Sequence, residues 1–317
     1  MSRKLLLLLS AAIVLAAGAL ADDAEVRVCV DPALVSLRTG SAPLLDYAYG
    51  DVPYKPCARR WHTPAGINIL RDSPHDHVHH HALMYAVTVE DINFWEEHHE
   101  PGRQAHQAFT GVSTGQAAGH AAAQFTETLH WVNPRNGDHI LTETRTIRAY
   151  VPDAGLDASF LVWESRLAVP ASRASAELTG GHYHGLGLRF VQTMDGAGTF
   201  QYSAGEPGEV VRGDEYVTPG AWCALTGPIG EQTVTVAVFD HPDNSRQAHW
   251  FTMMEHFAYL SATLNTWKEP LVIKAGKPAV LRYGLALWDG EKGREDIEAM
   301  QAKWLDELSR DLKPQAE

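Results

Sequence analysis

The sequence predicts an all-β protein, a large antiparallel β-sandwich that carries one C-terminal amphipathic helix. Short apolar or alternating runs recur along the chain, and residues that favour turns separate them. Only one long segment has the three-and-four spacing of an amphipathic helix. The chain has 317 residues, of which 45% are hydrophobic and 21% are charged, so it can bury a sizeable core.

The strand candidates are short and bounded by Gly, Pro, Asn or Asp. In chain order the clearest are residues 26–30, 82–89, 126–132, 139–150, 159–169, 185–191, 233–239, 271–274 and 280–288. Asn136 and Gly137 lie between two of these runs, and an Asn-Gly pair supplies the positive φ angles of a tight hairpin. Neighbouring runs are therefore expected to pair antiparallel.

Two segments are predicted to be helical. In residues 294–308 the apolar side chains from Ile297 to Leu308 recur on one face, so this helix is expected to dock on a sheet. A shorter helix is predicted over residues 92–98. No linker, repeat or low-complexity tract divides residues 22–317, which are expected to form one domain.

The first 21 residues have the pattern of a secretory signal peptide. Arg3 and Lys4 precede the apolar run 5–17, and Ala19 and Ala21 form a small-x-small cleavage site. Export to the periplasm or the extracellular space is therefore expected. No later run reaches the roughly 18 apolar residues that a membrane-spanning helix needs, so no span is expected in the mature protein.

Charge and cysteine content narrow the expected partners. Lys and Arg number 26 against 39 Asp and Glu, the net charge is -13, and no basic run is present, which argues against nucleic acid. In an oxidising compartment Cys29, Cys57 and Cys223 could supply one disulfide and one free thiol. Three small buried apolar side chains are the other alternative. The sequence leaves this choice, and the oligomeric state, open.

Histidine is the unusual feature of the composition. Of the 17 histidines, five crowd into residues 75–81, just before a strand candidate. If extended backbone begins at His77, then His77, His79 and His81 share one face of the strand, and His80 points to the other. The sequence therefore predicts a cluster of imidazoles on one surface.

Two roles are open for this cluster. His77 and His79 could ligate a divalent metal such as zinc or calcium, with Asp76 as a ligand or as the group that fixes a tautomer. Alternatively, His77, His79 and His80 act without metal as general acids and bases. Further ligands or catalytic groups would come from elsewhere, and the candidates are His182, His184, Asp240 and His241.

Carboxylates inside predicted strands either face water or have a function. Glu143 and Glu164 each have an arginine two residues further on, so each could form an ion pair with Arg145 or Arg166 on a solvated face. The alternative is that Glu143 or Glu164 faces a cleft as a catalytic acid or base. Glu143 is retained as a catalytic candidate.

Substrate contacts are predicted on one glycine-containing strand and among the tryptophans. Gly185 and Gly187 remove side chains beside Arg189, so either a ligand or another backbone can approach closely. Sugar rings stack on indole faces, and Trp61 and Trp95 flank the histidine cluster. The motifs of dinucleotide-binding proteins, P-loop enzymes, serine hydrolases and HExxH metalloproteases are absent from the sequence, so no nucleotide cofactor is expected.

Several of these segments together resemble a known family. They are Pro64-Ala65-Gly66, the runs 71–83, 185–189 and 239–244, and Phe94-Trp95. The combination is similar to a family of secreted bacterial proteins of unknown function that is often labelled PmoA-like or "methane oxygenase". The methane label does not suit this chain, because that oxygenase subunit spans a membrane several times.

The resemblance implies an exported β protein without an established reaction. It carries site candidates onto Asp76, His77, His79, His80, Arg189, Asp240, His241 and Asn244. The family often has a glycine after the histidines, where this chain has Ala82. The predicted architecture is also similar to the super-sandwich of sugar mutarotases and some glycan-degrading enzymes, a likeness of fold alone.

The first functional hypothesis is an exported carbohydrate-active enzyme, a hydrolase, lyase or epimerase, whose ligand is a small sugar or an oligosaccharide. The acid–base candidates are His77, His79, His80, Asp240 and Glu143. The substrate-binding candidates are Arg189, His241, Asn244, His184 and Trp95. The alternatives are a non-catalytic exported protein that binds a metal or a glycan, and an interaction module whose histidines have no functional role.

Overall fold

The computed structural model describes residues 26–309 and the backbone of residues 313–314. The predicted signal segment, residues 1–21, lies outside the described residues. Within the described part of the chain, no helix is long and apolar enough to cross a membrane.

Strands dominate the described chain, as the sequence predicts. In chain order they are β1 (Val26–Val30), β2 (Leu34–Thr39), β3 (Ala42–Ala48), β4 (Cys57–Trp61), β5 (Leu83–Ala86), β6 (Thr88–Val89), β7 (Ile92–Asn93), β8 (Arg103–Ala117), β9 (His120–Val132), β10 (His139–Tyr150), β11 (Ser159–Ala168), β12 (Ser175–Thr179), β13 (Gly185–Arg189), β14 (Thr199–Tyr202), β15 (Glu209–Arg212), β16 (Glu215–Pro219), β17 (Trp222–Ile229), β18 (Gln232–Asp240), β19 (His249–Met253), β20 (Tyr259–Thr263), β21 (Leu271–Lys274), β22 (Ala279–Asp289) and β23 (Lys313–Pro314). A 3-10 turn over Gln192–Met194, helix α1 (Arg294–Lys303) and a π-helical turn over Trp304–Leu308 are the helical elements of the described residues.

The strands form three antiparallel sheets. Sheet I has ten strands in the order β1-β2-β3-β4-β5-β13-β20-β19-β16-β15. Sheet II has nine, in the order β14-β17-β18-β22-β11-β10-β9-β8-β23. Sheet III is smaller, with β21-β12-β6-β7. The predicted all-β sandwich is therefore confirmed.

The main core lies between sheets I and II. Tyr85 and Leu188 of sheet I pack in one buried cluster with Phe125 and Trp163 of sheet II. Side chains alternate between the two faces of a strand, so every second residue of these strands enters the core. This apolar burial is the main force that holds the two sheets together.

The C-terminal helix covers the outer face of sheet II. In strand β22, Leu285 belongs to the main core, whereas its neighbour Ala286 packs in a second cluster with Ile297 and Trp304. Gly284 makes this docking possible, because a Cβ atom there would lie 2.6 Å from the Trp304 ring. The helix predicted over residues 294–308 is confirmed, with a π-helical last turn.

The shorter helix predicted over residues 92–98 is wrong. Ile92–Asn93 forms strand β7, which pairs with β6. The Asn93 Oδ1 atom then accepts hydrogen bonds from the backbone N–H groups of Trp95 and Glu96 at 2.8 and 3.0 Å. An asparagine that binds the backbone two and three residues on favours a turn over a helix.

The cysteines of the described chain are all free. Cys57 and Cys223 are buried, as small apolar side chains would be, whereas Cys29 is exposed on the edge strand β1. The described residues thus contain no disulfide between these cysteines. Only two of the three cysteines are buried, so the alternative of three buried side chains is not met either.

Candidate functional site

The histidine segment is a turn-rich loop, and the prediction that its side chains alternate along a strand is wrong. The backbone N–H of His77 donates to Pro74 O, and that of His80 donates to His77 O, both at 2.9 Å. Ala82 then adopts a φ of 51°, in the region that glycine favours, before strand β5 begins. These turns bring His77, His79 and His80 to one side and direct His81 to the other.

The three histidines line a pocket at sheet I, which we call the histidine pocket. Its cavity volume is about 230 Å³, which is below the roughly 300–1,000 Å³ usual for small-molecule sites. The lining side chains are those of His77, His79, His80, Trp95, Glu96, His98, Tyr183, Arg212, Glu215, Phe251, Met253, Phe257 and Tyr259. Sequence reasoning therefore found four members of this pocket, the three histidines and Trp95.

The imidazoles pack on one another and on aromatic rings. The His77 ring stacks on His80 with centroids 4.7 Å apart. The centroid of His79 lies 5.2 Å from that of Trp95, and the centroid of His80 lies 5.2 Å from that of Tyr259. These contacts restrict the rotation of the imidazole rings and so fix their orientations.

Burial keeps the inner imidazoles neutral. It lowers the pKa of His79 to about 4, with a further contribution from the Lys55 ammonium. It also lowers the pKa of His80, which is more deeply buried. At neutral pH both rings therefore have an unprotonated nitrogen that can accept a proton or a hydrogen bond.

The opposite wall is supplied by the turn after β7. The Asn93 side chain fixes the backbone of Trp95 and Glu96, as described above. The buried Lys55 ammonium donates to Trp95 O at 2.7 Å and to Glu97 Oε1 at 2.8 Å. A short turn held at both ends in this way gives the indole and the Glu96 carboxylate defined positions.

Glu96 and Tyr183 form a hydrogen-bonded pair on this wall. The Tyr183 hydroxyl donates to Glu96 Oε1 at 2.9 Å, and the Glu96 Oε2 atom lies 2.7 Å from His98 Nε2. Burial and the nearby Glu96 carboxylate raise the pKa of Tyr183, so its phenol stays protonated. The pair thus presents a proton donor backed by a carboxylate.

A second carboxylate, Glu215, lies at the start of β16 and is engaged by two partners. Its Oε1 atom accepts from Arg212 Nε at 3.0 Å, and its Oε2 atom is 2.9 Å from His182 Nε2. His184 lies behind this wall, with its ring parallel to Trp95 at a centroid distance of 5.5 Å. Burial lowers the pKa of His184 to about 3.

Several buried polar atoms around the pocket have no hydrogen-bond partner among the described residues. They are His80 Nδ1, Trp95 Nε1, His184 Nδ1 and the Tyr259 hydroxyl. Gly187 makes room for this hydroxyl, because a Cβ there would lie 1.8 Å from it. Unpaired buried groups are rare in native proteins and concentrate where function requires them.

His81, which does not line the pocket, connects the histidine loop to the Trp95 turn. Its Nδ1 atom is 2.8 Å from Asp72 Oδ1, and its Nε2 atom is 2.8 Å from Glu97 Oε1. Burial alone would lower the pKa of His81, but the hydrogen bonds to Asp72 and Glu97 outweigh it and raise that pKa. A doubly protonated His81 therefore bridges the histidine loop to the Trp95 turn through Glu97 and Lys55.

Cys57, Asp72 and His81 are also the one group of three in the described chain whose potential metal-ligand atoms lie within 4.8 Å of one another. Asp72 is already paired with Arg59 at 2.9 Å as well as with His81. Burial raises the pKa of the Cys57 thiol. The three side chains are a possible metal-binding group, in which an ion would replace the present partners of Asp72 and His81.

Two of the metal ligands predicted from sequence, His77 and His79, line the pocket, and Asp76 lies beside His77. Asp76 Oδ2 is 3.1 Å from His77 Nδ1, and the rings of His77 and His79 are 5.8 Å apart. Asp76 is thus placed as the group that orients His77. A metal bound by His77 and His79 stays a prediction.

The remaining predicted residues lie outside the pocket lining. Arg189 is buried beneath it, with its guanidinium carbon 3.9 Å from the centroid of Phe257 and its Nη1 atom 3.3 Å from Asp195 Oδ1. Arg189 therefore supports the pocket wall from behind. Gly185 serves close packing, because a Cβ there would meet the carbonyl of Ala262 at 2.0 Å.

Asp240, His241 and Asn244 form a separate loop after β18. The Asp240 carboxylate accepts from Asn244 Nδ2 at 2.7 Å and from the Ala248 backbone at 2.9 Å. Burial raises the pKa of Asp240 to about 6. The His241 ring contacts Trp304 of the C-terminal helix. This Asp-His-Pro-Asp-Asn segment closes a turn on the structure, away from the histidines.

Glu143 faces the interior, so the expected ion pair on a solvated face is wrong for it. Its Oε1 atom accepts from Arg145 Nε at 2.8 Å and from the Ser165 hydroxyl at 2.6 Å, and Trp131 donates to Oε2 at 3.0 Å. Glu143 and Arg145 are fully buried between the sheets. Glu164 pairs with Arg282 of the next strand rather than with Arg166.

Sequence reasoning missed several residues of the pocket. Glu96 and Tyr183 are the chemically important ones, and both are adjacent to residues that were found, Trp95 and His184. The sequence signal that could have revealed them is a charged residue beside an aromatic one in a polar turn. Glu215 and Phe257 lie far away in the sequence, and only the pairing of β16, β19 and β20 brings them here.

Comparison with known families gives one match. A model described as a family of unknown function (DUF6807) matches residues 34–302, which is most of the chain. No curated protein matches the chain. The match supports a family of unknown function, and the PmoA-like label stays a prediction.

Comparison with solved structures gives distant likenesses. A GH36 α-galactosidase, AgaA from Geobacillus stearothermophilus in complex with raffinose, is 11% identical with a TM-score of 0.48, over 81% of this chain and 41% of that one. An α-galactosidase from Lactobacillus brevis is 8% identical with a TM-score of 0.43, over 84% and 39%. A candidate aldose 1-epimerase from Klebsiella pneumoniae is 10% identical with a TM-score of 0.40, over 90% and 85%. The chain spans about two fifths of the length of the galactosidases.

Proposed function

The chain belongs to the DUF6807 family of unknown function, and we propose that it is an exported carbohydrate-active enzyme that holds one sugar ring in the histidine pocket. A single observation carries this proposal. In one pocket a neutral imidazole, a protonated phenol backed by a carboxylate, and several aromatic rings converge. Export rests on the signal-like pattern of the first 21 residues.

The lining suits a sugar ring. Phe251, Phe257 and Tyr259 offer apolar surface to the C–H groups of a pyranose. His77, His79 and the Glu96 carboxylate offer hydrogen-bond acceptors and donors to its hydroxyls. The small cavity, about 230 Å³, limits the ligand to a monosaccharide or one terminal unit of an oligosaccharide.

The proposed chemistry is proton transfer between two side chains and the bound sugar. His79 is the general base, because it lines the pocket and its ring is unprotonated at neutral pH. Tyr183 is the general acid, and its hydroxyl turns from Glu96 to an oxygen of the sugar when the sugar binds. His79 removes a proton from a carbon or a hydroxyl on one side of the sugar ring. Tyr183 donates a proton to an oxygen of the sugar on the other side.

This arrangement favours a lyase or an epimerase over a hydrolase. Most glycoside hydrolases use two carboxyl groups, one on each side of the scissile bond. Of the two carboxylates in the lining, Glu215 is occupied by Arg212 and His182. Glu96 is bonded to the proposed acid, Tyr183, and to His98, so the lining does not offer two free carboxyl groups.

The test is proton exchange in heavy water. The full chain is incubated in D₂O with a panel of monosaccharides and oligosaccharides, and NMR follows deuterium entry at C–H positions and the appearance of epimers or unsaturated products. We expect catalysed exchange with at least one sugar. His79→Gln and Tyr183→Phe should each reduce its kcat by about 10²–10⁴-fold.

The matched control is His130→Gln, because His130 stacks on His139 on another part of the molecule. It should leave the exchange rate unchanged. Sugar binding without exchange would refute the enzyme and leave a glycan-binding protein. Absence of binding across the panel would refute the sugar pocket itself. Metal content measured on the same samples, and on the His77→Ala/His79→Ala double variant, reveals whether a divalent ion accompanies the activity.

A further inference from the structure

Three charged side chains line the histidine pocket: Glu96, Glu215 and Arg212. Two of them compensate each other. The Arg212 guanidinium forms an ion pair with Glu215, whose side chain is only 5% exposed. Glu215 also pairs with His182, which holds its carboxylate in place beside Arg212. Arg212 donates to Glu215 through its Nε and Nη2 atoms. The charge of Arg212 is therefore already compensated by Glu215.

Glu96 has His98, rather than an arginine or a lysine, as its partner. Its two oxygens meet the Tyr183 hydroxyl and the His98 ring, and no Lys or Arg of the described residues lies within ion-pair distance of it. The nearby Lys55 ammonium is bonded to Glu97 instead, on the far side of the turn. A quarter of the Glu96 side chain is exposed, at 24%, so a ligand can reach it.

The lining contains more carboxylates than Lys and Arg side chains. Glu96 and Glu215 share the lining with a single Arg212, which is paired with Glu215, so one carboxylate is in excess. It lies in a partly desolvated place, where charge interactions are several times stronger than in water.

Aromatic rings surround the same carboxylate. Trp95 precedes Glu96 in the turn, and its ring centroid lies 4.8 Å from that of Tyr183, the residue bonded to Glu96. The electron-rich faces of indole and phenol attract cations and add to the effect of a carboxylate. An ammonium group is the sugar substituent that such surroundings would favour most.

Building on the proposed function, we propose that Glu96 makes the histidine pocket select sugars by charge. The pocket binds an amino sugar more tightly than the corresponding neutral sugar, and the neutral sugar more tightly than the corresponding uronic acid. Glu96 is then a specificity-determining residue, and its substrate class is the amino sugars.

The test compares matched sugars at pH 7 and low ionic strength. Affinities are measured by calorimetry or competition NMR for glucosamine, glucose and glucuronate, and for the three galactose counterparts. We expect a decrease of about tenfold at each step in at least one series, consistent with one charge interaction in a partly buried site. Glu96→Gln should bring the three affinities of that series within about threefold of one another.

Two variants keep the result interpretable. Glu96→Asp retains the charge and should retain the order, while Glu231→Gln removes an exposed carboxylate from a hairpin turn and should change nothing. If a uronic acid binds as well as the amino sugar, or if the order of the affinities persists in Glu96→Gln, charge selection is refuted and the sugar pocket is not. Failure of all six sugars to bind would refute the proposed function, and this inference with it.

Discussion

His184 illustrates how its environment, rather than its residue type, decides what a histidine does in this molecule. Its ring is packed parallel to Trp95, is 3% exposed and has a buried nitrogen without a partner. Burial and the neighbouring His182 lower the pKa of His184 to about 3. The folded state therefore holds this ring neutral, while the unfolded chain protonates it near its usual pKa of about 6.5.

This shift predicts sensitivity to acid. Because the folded pKa is depressed, protonation favours the unfolded state, so the contribution of His184 is present above about pH 6.5 and is lost as the pH falls towards 3. At pH 5 the loss is on the order of 2 kcal/mol. His184→Phe keeps a stacked ring that cannot protonate, so it should reduce the difference in unfolding free energy between pH 8 and pH 5 by about that amount.

The measurement is urea unfolding at both pH values. His256→Gln is the control, because His256 is exposed, and it should leave the difference unchanged. An equal acid sensitivity in wild type and His184→Phe would mean that the burial of this ring has no such cost.

At this scale the sequence predicts the residues of the pocket better than their geometry. The density of histidine at 75–81 identified His77, His79 and His80, because an enrichment of titratable groups is visible in one dimension. Asp240 and Asn244 were chosen from the family resemblance and Glu143 as a carboxylate inside a strand, yet their carboxylates and amides are occupied by internal hydrogen bonds. Alternation along a strand gives two faces and does not reveal which one lines a pocket.

At the scale of elements, the pocket depends on two turns that a buried charged bridge holds together. His81 ends the histidine loop, Glu97 follows the Trp95 turn, and Lys55 bonds both Glu97 and the Trp95 carbonyl. Burial lowers the pKa of Lys55, although Glu97 opposes the shift.

Lys55→Met should therefore be strongly destabilising. It leaves the Glu97 carboxylate buried with one partner fewer, and breaking a buried pair in this way costs about 3–5 kcal/mol. Hydrogen exchange should also accelerate over residues 93–99. Lys292→Met is the comparison, since Lys292 pairs with the largely exposed Asp157 and should cost about 1 kcal/mol or less. Equal costs for the two variants would contradict the bridge.

The docking of the C-terminal helix depends on one glycine. A methyl group at position 284 would collide with the Trp304 ring, so Gly284→Ala should lower the free energy of unfolding by about 1–3 kcal/mol. Gly111→Ala serves as the reference, because the nearest side-chain atom, on Thr126, lies 3.9 Å from the added Cβ. Thermal unfolding of both variants measures the difference, and a Gly284→Ala protein as stable as Gly111→Ala would be inconsistent with this packing.

Elements with strong periodicity were predictable. Strands such as β10 and β21 begin and end where the apolar pattern does, and so does the terminal helical segment. The failures came where a polar side chain competes for the backbone, as Asn93 does in the predicted helix 92–98. The turn of the histidine loop is a similar case, because Pro74 accepts a backbone hydrogen bond that extended geometry would not allow.

For the whole molecule, the sandwich explains why the pocket is assembled from remote parts of the chain. Strand β13 lies between β5 and β20 in sheet I, so the histidine loop before β5 lies near residues beyond position 250. Sequence patterns predict such layers but not the order of strands within them, because each strand is compatible with many neighbours. That Glu215 and Phe257 contribute to the pocket is therefore visible only in the structure.

The interior of the sandwich is also less apolar than its pattern indicates. Arg145 is fully buried and bonds Glu143, the Tyr47 hydroxyl and Gln104. The Tyr47 hydroxyl in turn donates to Glu127. A satisfied network of this kind restricts the way the two sheets can pack, because every member must keep its partners.

Sugar binding in the histidine pocket can be observed in a crystal structure of the full chain soaked with the tightest-binding sugar of the panel. We expect electron density for one ring between His79 and Tyr183, with an oxygen or nitrogen substituent within hydrogen-bond distance of Glu96. A sugar bound instead at the Asp240 loop, or at a surface outside the pocket, would contradict this expectation.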